Sequence, residues 1–127
     1  MKIVVVDDEP SIVLICRRVL EAQGHTVHGF SDVQAALAQL EAETADLLVV
    51  DYKMPELNGL EFIQRAWAVR PGLRVVMITA HGTREVIARA AQSGVQVVLK
   101  PFTPSELTKG VAEALQPGSE PTRPPAG

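Results

Sequence analysis

The residues able to do chemistry in this chain are the adjacent carboxylates Asp7 and Asp8, the carboxylate Asp51, the hydroxyl Thr79 and the ammonium Lys100. Each stands at or just past the end of a short apolar run: Ile3–Val6, Leu47–Val50, Leu73–Ile78 or Val95–Leu99. A charge placed at the end of a buried segment is costly unless something compensates it. Carboxylates that converge repel one another, and an all-oxygen set suits a hard cation such as Mg²⁺, which keeps several of its waters. Asp7, Asp8 and Asp51 are therefore the candidate metal ligands. Lys100 and Thr79 add a fixed positive charge and a hydroxyl donor, a combination matched to an anion with several oxygens, such as a phosphoryl group.

Other chemistries are excluded by what is missing. His25, His28 and His81 lack metal-ligand spacing, and no Gly-Lys-Ser/Thr loop or G-x-G-x-x-G turn follows the first apolar run. The formal net charge is −3 at pH 7, with Lys and Arg scattered, so there is no electrostatic footprint for nucleic acid. No apolar stretch approaches the ~18 residues of a membrane span, and the opening run is too short for a signal-peptide core. A cytoplasmic location is expected, with no membrane partner. The single cysteine, Cys16, allows no internal disulfide and is expected to be buried on a helix face.

Strand-like and helix-like patterns alternate along the 127 residues, a length suited to one domain. The four runs above and Thr26–Phe30 read as buried strands. Between and after them lie helical stripes: Ile12, Ile15, Cys16, Val19; Val33, Ala36, Leu37, Leu40; Phe62, Ile63, Ala66, Val69; Val86, Ile87, Ala90, Ala91; and Leu107, Val111, Leu115. Gly24 fits the position just past the first helix, Ser31 with Gln34 reads as a capping box, and Thr103, Pro104 and Glu106 read as N-cap, N1 and N3 of the last helix. Such alternation implies a doubly wound α/β fold: a parallel five-stranded sheet flanked by five helices and joined by right-handed crossovers. Sites in such folds lie at the carboxyl ends of the strands, where all five chemical residues fall. Residues 1–116 form the expected domain, and the proline-rich stretch 117–127 is expected to be a disordered tail or linker.

Four segments, "VVVDDEP", "DYKMPELNG", "MITAHG" and "KPF", occur in this order on the alternating pattern. Together they resemble the receiver domain of two-component response regulators, from about Ile3 to Leu115. The resemblance implies a flavodoxin-like strand order of 2-1-3-4-5. It implies that Asp51 is the phosphoacceptor, taking a phosphoryl group from a phosphohistidine of a sensor histidine kinase or phosphotransfer protein. Asp8 and Asp51, with the backbone carbonyl of Lys53, would hold Mg²⁺ directly, and Asp7 mainly through water. Lys100 and Thr79 would bond phosphoryl oxygens. Pro101 would follow a cis peptide, Gly59 would start the third helix, and Met54-Pro55 would shape the loop after Asp51. The protein would not be an enzyme beyond catalysing its own phosphorylation and slow autodephosphorylation.

The resemblance is imperfect in one place. Receivers commonly carry Tyr or Phe three residues before the lysine, where this chain has Val97, and "GVQVVLK" is one residue tighter than usual between glycine and lysine. Phosphorylation chemistry is expected to survive this, while transmission from Thr79 to the surface is expected to differ. Lys53 and His81, each two residues past a key position, are either plain surface residues or overhang the phosphoryl group. Output is expected through a downstream protein target or an output domain outside this sequence, and nothing in the sequence specifies an oligomeric state. Two competing classes are a metal-dependent phosphohydrolase, for which no second general acid is evident, and a non-phosphorylated receiver-like scaffold, which would not need the full acidic set. A flavoprotein of similar architecture would want a glycine- and hydroxyl-rich loop where "DDEPS" stands.

Overall fold

A computed structural model describes residues 1–118, and the expected tail beyond them lies outside the described residues. The elements alternate as β1 (Lys2–Val6), α1 (Pro10–Ala22), β2 (Thr26–Phe30), α2 (Val33–Ala42), β3 (Leu47–Asp51), α3 (Gly59–Val69), β4 (Arg74–Thr79), α4 (Arg84–Gln92), β5 (Gln96–Leu99) and α5 (Pro104–Ala114). The five strands are all parallel and ordered 2-1-3-4-5, as the resemblance implied.

Side chains alternate across each strand, and here both faces are buried. Val4, Val6, Leu48, Val50, Val75 and Met77 face α2, α3 and α4, joined by Leu40, Phe62, Ile63 and Trp67. Ile3, Val5, Leu47, Val49, Val76 and Ile78 face α1 and α5, joined by Cys16, Leu20, Leu107 and Val111. Each fully buried aliphatic side chain stabilises the fold by about 1.5–3 kcal/mol, so the sheet interior is the rigid part. No helix among the described residues is long and apolar enough to cross a membrane.

Several local expectations shift. The face of α1 turned to the sheet centres on the fully buried Cys16 and Leu20, one turn apart, with Ile12 and Val19 half-buried against the same core, while Ile15 is exposed. In α4 only Val86 and Ala90 are buried, and Ile87 and Ala91 point outward. The Ser31–Gln34 capping box does not form: Asp32 is the N-cap, its carboxylate accepting the Gln34 N–H, since that oxygen stands one residue closer to the helix. The Thr103–Glu106 capping box does form, and Gly24 lies just past α1 with φ +90°, a left-handed conformation open to glycine.

Gly59 starts α3 and sets how closely that helix approaches the end of β3. Its N–H donates to the Tyr52 carbonyl at 2.6 Å, and a Cβ there would fall 2.6 Å from the Asp51 carbonyl oxygen and 2.9 Å from the Tyr52 Cα. These obstacles are backbone, which cannot rotate away. Gly59→Ala should therefore lower unfolding stability by about 1–3 kcal/mol through overpacking, measured by urea titration. An unchanged midpoint would show that α3 can back away from β3 freely.

Candidate functional site

The sheet delivers the five chemical residues to one edge. Asp51 and Thr79 are the last residues of β3 and β4, Asp7 directly follows β1, and Lys100 directly follows β5. Asp7 and Thr79 are fully buried and Asp51 is 4% exposed, whereas Asp8 is exposed at the rim. The Lys100 ammonium lies 2.9 Å from Asp7 Oδ2, 3.3 Å from Asp51 Oδ1 and 3.6 Å from Glu9 Oε1. Asp7 is fixed at both ends: its backbone N–H donates to the Phe30 carbonyl, and its Oδ1 accepts the Glu9 N–H at 2.9 Å. The Lys100–Pro101 peptide is cis.

One ammonium thus serves three carboxylates, with Asp8 a fourth nearby. Carboxylate oxygens of Asp7, Asp8 and Asp51 all lie within 4.8 Å of one another. This donor set, hard oxygen atoms with surplus negative charge, fits Mg²⁺. Burial pushes the Asp51 carboxyl up from 3.8 to about 6, with the charge of Asp7 adding and Lys100 opposing. Asp7 is raised as well, chiefly by burial. For Lys100 burial acts downward, but the hydrogen bond and charge of Asp7 and the charge of Asp51 prevail, and it is raised.

The cleft above these groups has a volume of about 280 Å³ and is open to solvent, with Lys53, Met54 and Pro55 on one side and Ala80 and His81 on the other. Lys53 and His81 are both exposed at this rim. Thr79 is not turned idle into the core: its Oγ1 accepts the His81 N–H at 2.8 Å. Asp8 does not cap α1. The N-cap is Glu9, whose side chain makes no capping bond and leans to Lys100 instead. Glu9 is the site residue that sequence reasoning missed. Its signal was the third acid in "DDEP", one position past the pair.

Comparison with known proteins agrees with this geometry. The sequence matches the family described as response regulator receiver domain over residues 3–112. It is 31% identical to the chemotaxis protein CheY homolog of Campylobacter jejuni, covering 94% of this chain and 95% of that protein. It is 34% identical to the alginate biosynthesis transcriptional regulatory protein AlgB of Pseudomonas aeruginosa, covering 91% of this chain but only 26% of that protein. The structure of response regulator protein TrrA from Thermotoga maritima, in complex with Mg²⁺–BeF, superposes with a TM-score of 0.78 at 27% identity, covering 90% of this chain and 98% of that one.

The raised carboxyl groups make a pH prediction. A folded-state pKa above the unfolded one means the folded form holds the proton more tightly, so the group's contribution to stability is lost as pH rises from 3.8 to about 6. Without divalent metal, the stability advantage of Asp51→Asn over the unsubstituted chain should grow across that window, by on the order of 1–3 kcal/mol. Urea unfolding at a series of pH values measures it. A difference independent of pH would mean that Lys100 neutralises Asp51 completely.

Proposed function

This chain belongs to the response regulator receiver family, and on that premise we propose that it takes a phosphoryl group onto Asp51 from the phosphohistidine of a sensor histidine kinase or phosphotransfer protein. The observation that carries this reading is Lys100 held between Asp7 and Asp51, at 2.9 and 3.3 Å, within a triad of convergent carboxylates. A scaffold that merely keeps the fold gains nothing from so costly a cluster.

In the proposed reaction an Asp51 carboxylate oxygen attacks phosphorus in line. The P–N bond to the donor imidazole breaks with its electron pair going to nitrogen, and a P–O bond forms, leaving an acyl phosphate. Asp7, Asp8 and Asp51, with the Lys53 carbonyl, would hold Mg²⁺, which when bound supplies charge neutralisation to phosphoryl and carboxylate oxygens. Asp8, exposed and nearest solvent, is suited to direct ligation. Asp7, with one oxygen on Glu9 N–H and the other on Lys100, is suited to acting through water. Lys100 holds a phosphoryl oxygen, and the Thr79 hydroxyl, whose proton is free to donate while its oxygen accepts from His81, bonds another. No general acid is needed, because positioning and charge neutralisation do the work. The chain's own chemistry ends there, with slow hydrolysis of its acyl phosphate, and we place the exchange in the cytoplasm. Output is phosphorylation-dependent recognition by a protein target or by a further domain.

Two measurements test this. Intact-mass analysis after incubation with Mg²⁺ and a small phosphodonor should show one phosphoryl group, absent without metal and absent in Asp51→Asn. Metal-independent labelling of Asp51→Asn would overturn the assignment. Mg²⁺ should also raise the melting temperature by mass action, and Asp8→Ala should remove most of that rise. An identical Mg²⁺ response with and without Asp8 would place the ion elsewhere.

A further inference from the structure

A divalent ion and the Lys100 ammonium together would balance the three carboxylates of Asp7, Asp8 and Asp51. Glu9 stands outside that balance, answered by the exposed Lys53 at the rim. Its Oε1 lies 3.6 Å from the Lys100 ammonium, and it lines both the cleft above Asp51 and an adjoining apolar hollow of about 330 Å³ walled by Ile12, Ile15, Pro101 and Phe102. Helix α1 does not need this carboxylate, since the Glu9 side chain makes no capping bond. The tip is free to turn, the side chain being 60% exposed, but the base is fixed. The Glu9 N–H donates to Asp7 Oδ1 at 2.9 Å, and the Glu9 carbonyl accepts the Ile12 N–H at 3.0 Å. Every rotamer therefore leaves one negative charge beside the cleft, next to an apolar wall that screens it less than open water would.

We propose that Glu9 selects phosphodonors by charge, favouring a phosphoryl group carried on a protonated nitrogen over one carried on a carboxylate oxygen. This rests on Asp51 being the phosphoacceptor. With either donor a P–O bond forms to Asp51. From the nitrogen donor the P–N bond breaks with its electron pair going to nitrogen, whose proton is already in place, so the leaving side is positive before transfer and neutral after it. From an acyl phosphate the P–O bond breaks with its pair going to oxygen and a carboxylate departs, so the leaving side is neutral before transfer and negative after it. Lys100 and the triad meet the phosphoryl oxygens in the same way in both cases. The difference lies on the leaving side, which points away from Asp51 toward the mouth of the cleft, where the Glu9 charge opposes the acyl donor on entry and again as its carboxylate forms. One unit charge at such range alters a rate by about three- to tenfold.

The test follows labelling of the full chain by intact mass at saturating Mg²⁺, with acetyl phosphate and with phosphoramidate, for the unsubstituted chain, Glu9→Gln and Glu9→Asp. Glu9→Gln keeps the side-chain size and the backbone bond to Asp7. It should raise the acetyl phosphate rate by about three- to tenfold more than the phosphoramidate rate. That gap should narrow as salt is raised, because exposed charges are screened over about 10 Å at 0.1 M. Glu9→Asp should retain the unsubstituted preference. A second arm without donor reads the same field with the opposite sign: Glu9→Gln should weaken Mg²⁺ binding severalfold in amide NMR titrations. Equal gains with both donors would show that Glu9 merely occupies Lys100, and they overturn the proposal, as does a preference indifferent to salt or a Mg²⁺ affinity that does not fall. If neither donor labels the unsubstituted chain, the phosphoacceptor reading falls and this inference with it, whereas labelling whose donor preference ignores Glu9→Gln overturns this inference alone.

Discussion

The ion cluster around Lys100 is the constraint on which the rest of the structure depends. One ammonium faces Asp7, Asp51 and Glu9, with Asp8 at the rim, and the two nearest carboxylates are buried. Removing such charges from water costs several kcal/mol per ion, and attraction offsets it only with good geometry. That geometry comes from three separate strand ends held in register. β1 and β3 pair from Ile3–Leu47 to Val6–Val50, and β3 with β4 out to Asp51–Ile78, so the carboxylates are placed by backbone ladders rather than by flexible loops. Lys100 arrives from the edge strand, its own N–H bonded to the Thr79 carbonyl at 2.8 Å. The aliphatic packing on both sheet faces supplies the stability against which this unfavourable cluster is maintained.

Much of this was legible in the sequence because burial on both faces leaves a strong signal. Short β-branched runs such as "IVVV" and "LLVV" can hardly be anything but interior strands, and a charge that ends each run fixes which sheet edge is chemical. Legibility failed where competition between neighbours decides. Ser31 and Asp32 are both good N-caps, and only the backbone path shows that Asp32 takes the role. Ile15 and Ile87 fit the helical period but fall beyond the width of the actual contact. Glu9 escaped because its partner, Lys100, is 91 positions away, and a glutamate just ahead of a helix is an ordinary thing to meet locally. The strand order came from family resemblance, since periodicity does not order parallel strands.

Relatives bracket the chain in two ways. It runs almost the full length of the Campylobacter CheY homolog, yet covers about a quarter of AlgB, a transcriptional regulatory protein. The same receiver architecture thus occurs alone and as part of much longer chains, which physical reasoning accommodates. Every chemical group is contributed by the carboxyl edge of the sheet, and α5 ends at the opposite edge, where the Arg74 guanidinium holds the carbonyls of Ala114 and Gln116. The last described residues past α5 therefore stand at the edge of the sheet opposite the cleft.

Charge also bears on how the proposed chemistry at Asp51 would be felt beyond it. In the structure Lys100 divides itself among three carboxylates, so no pair is saturated, and the Asp51 carboxyl sits near 6. On the proposed function, a phosphoryl group on Asp51 would move negative charge outward from the sheet edge into the cleft and add to it. The ammonium would then have a stronger partner than Asp7, and the Thr79 hydroxyl would have a charged acceptor. The groups that would respond are the Lys100 ammonium, at the end of a flexible stem, and the buried Thr79 hydroxyl, whose Oγ1 is joined to the next segment by the His81 amide hydrogen bond. The strands beneath cannot follow, being close-packed on both faces. A displacement started at the cleft would thereby be directed away from the sheet and into segment 80–83, whose inner end hangs on Thr79 through the His81 amide.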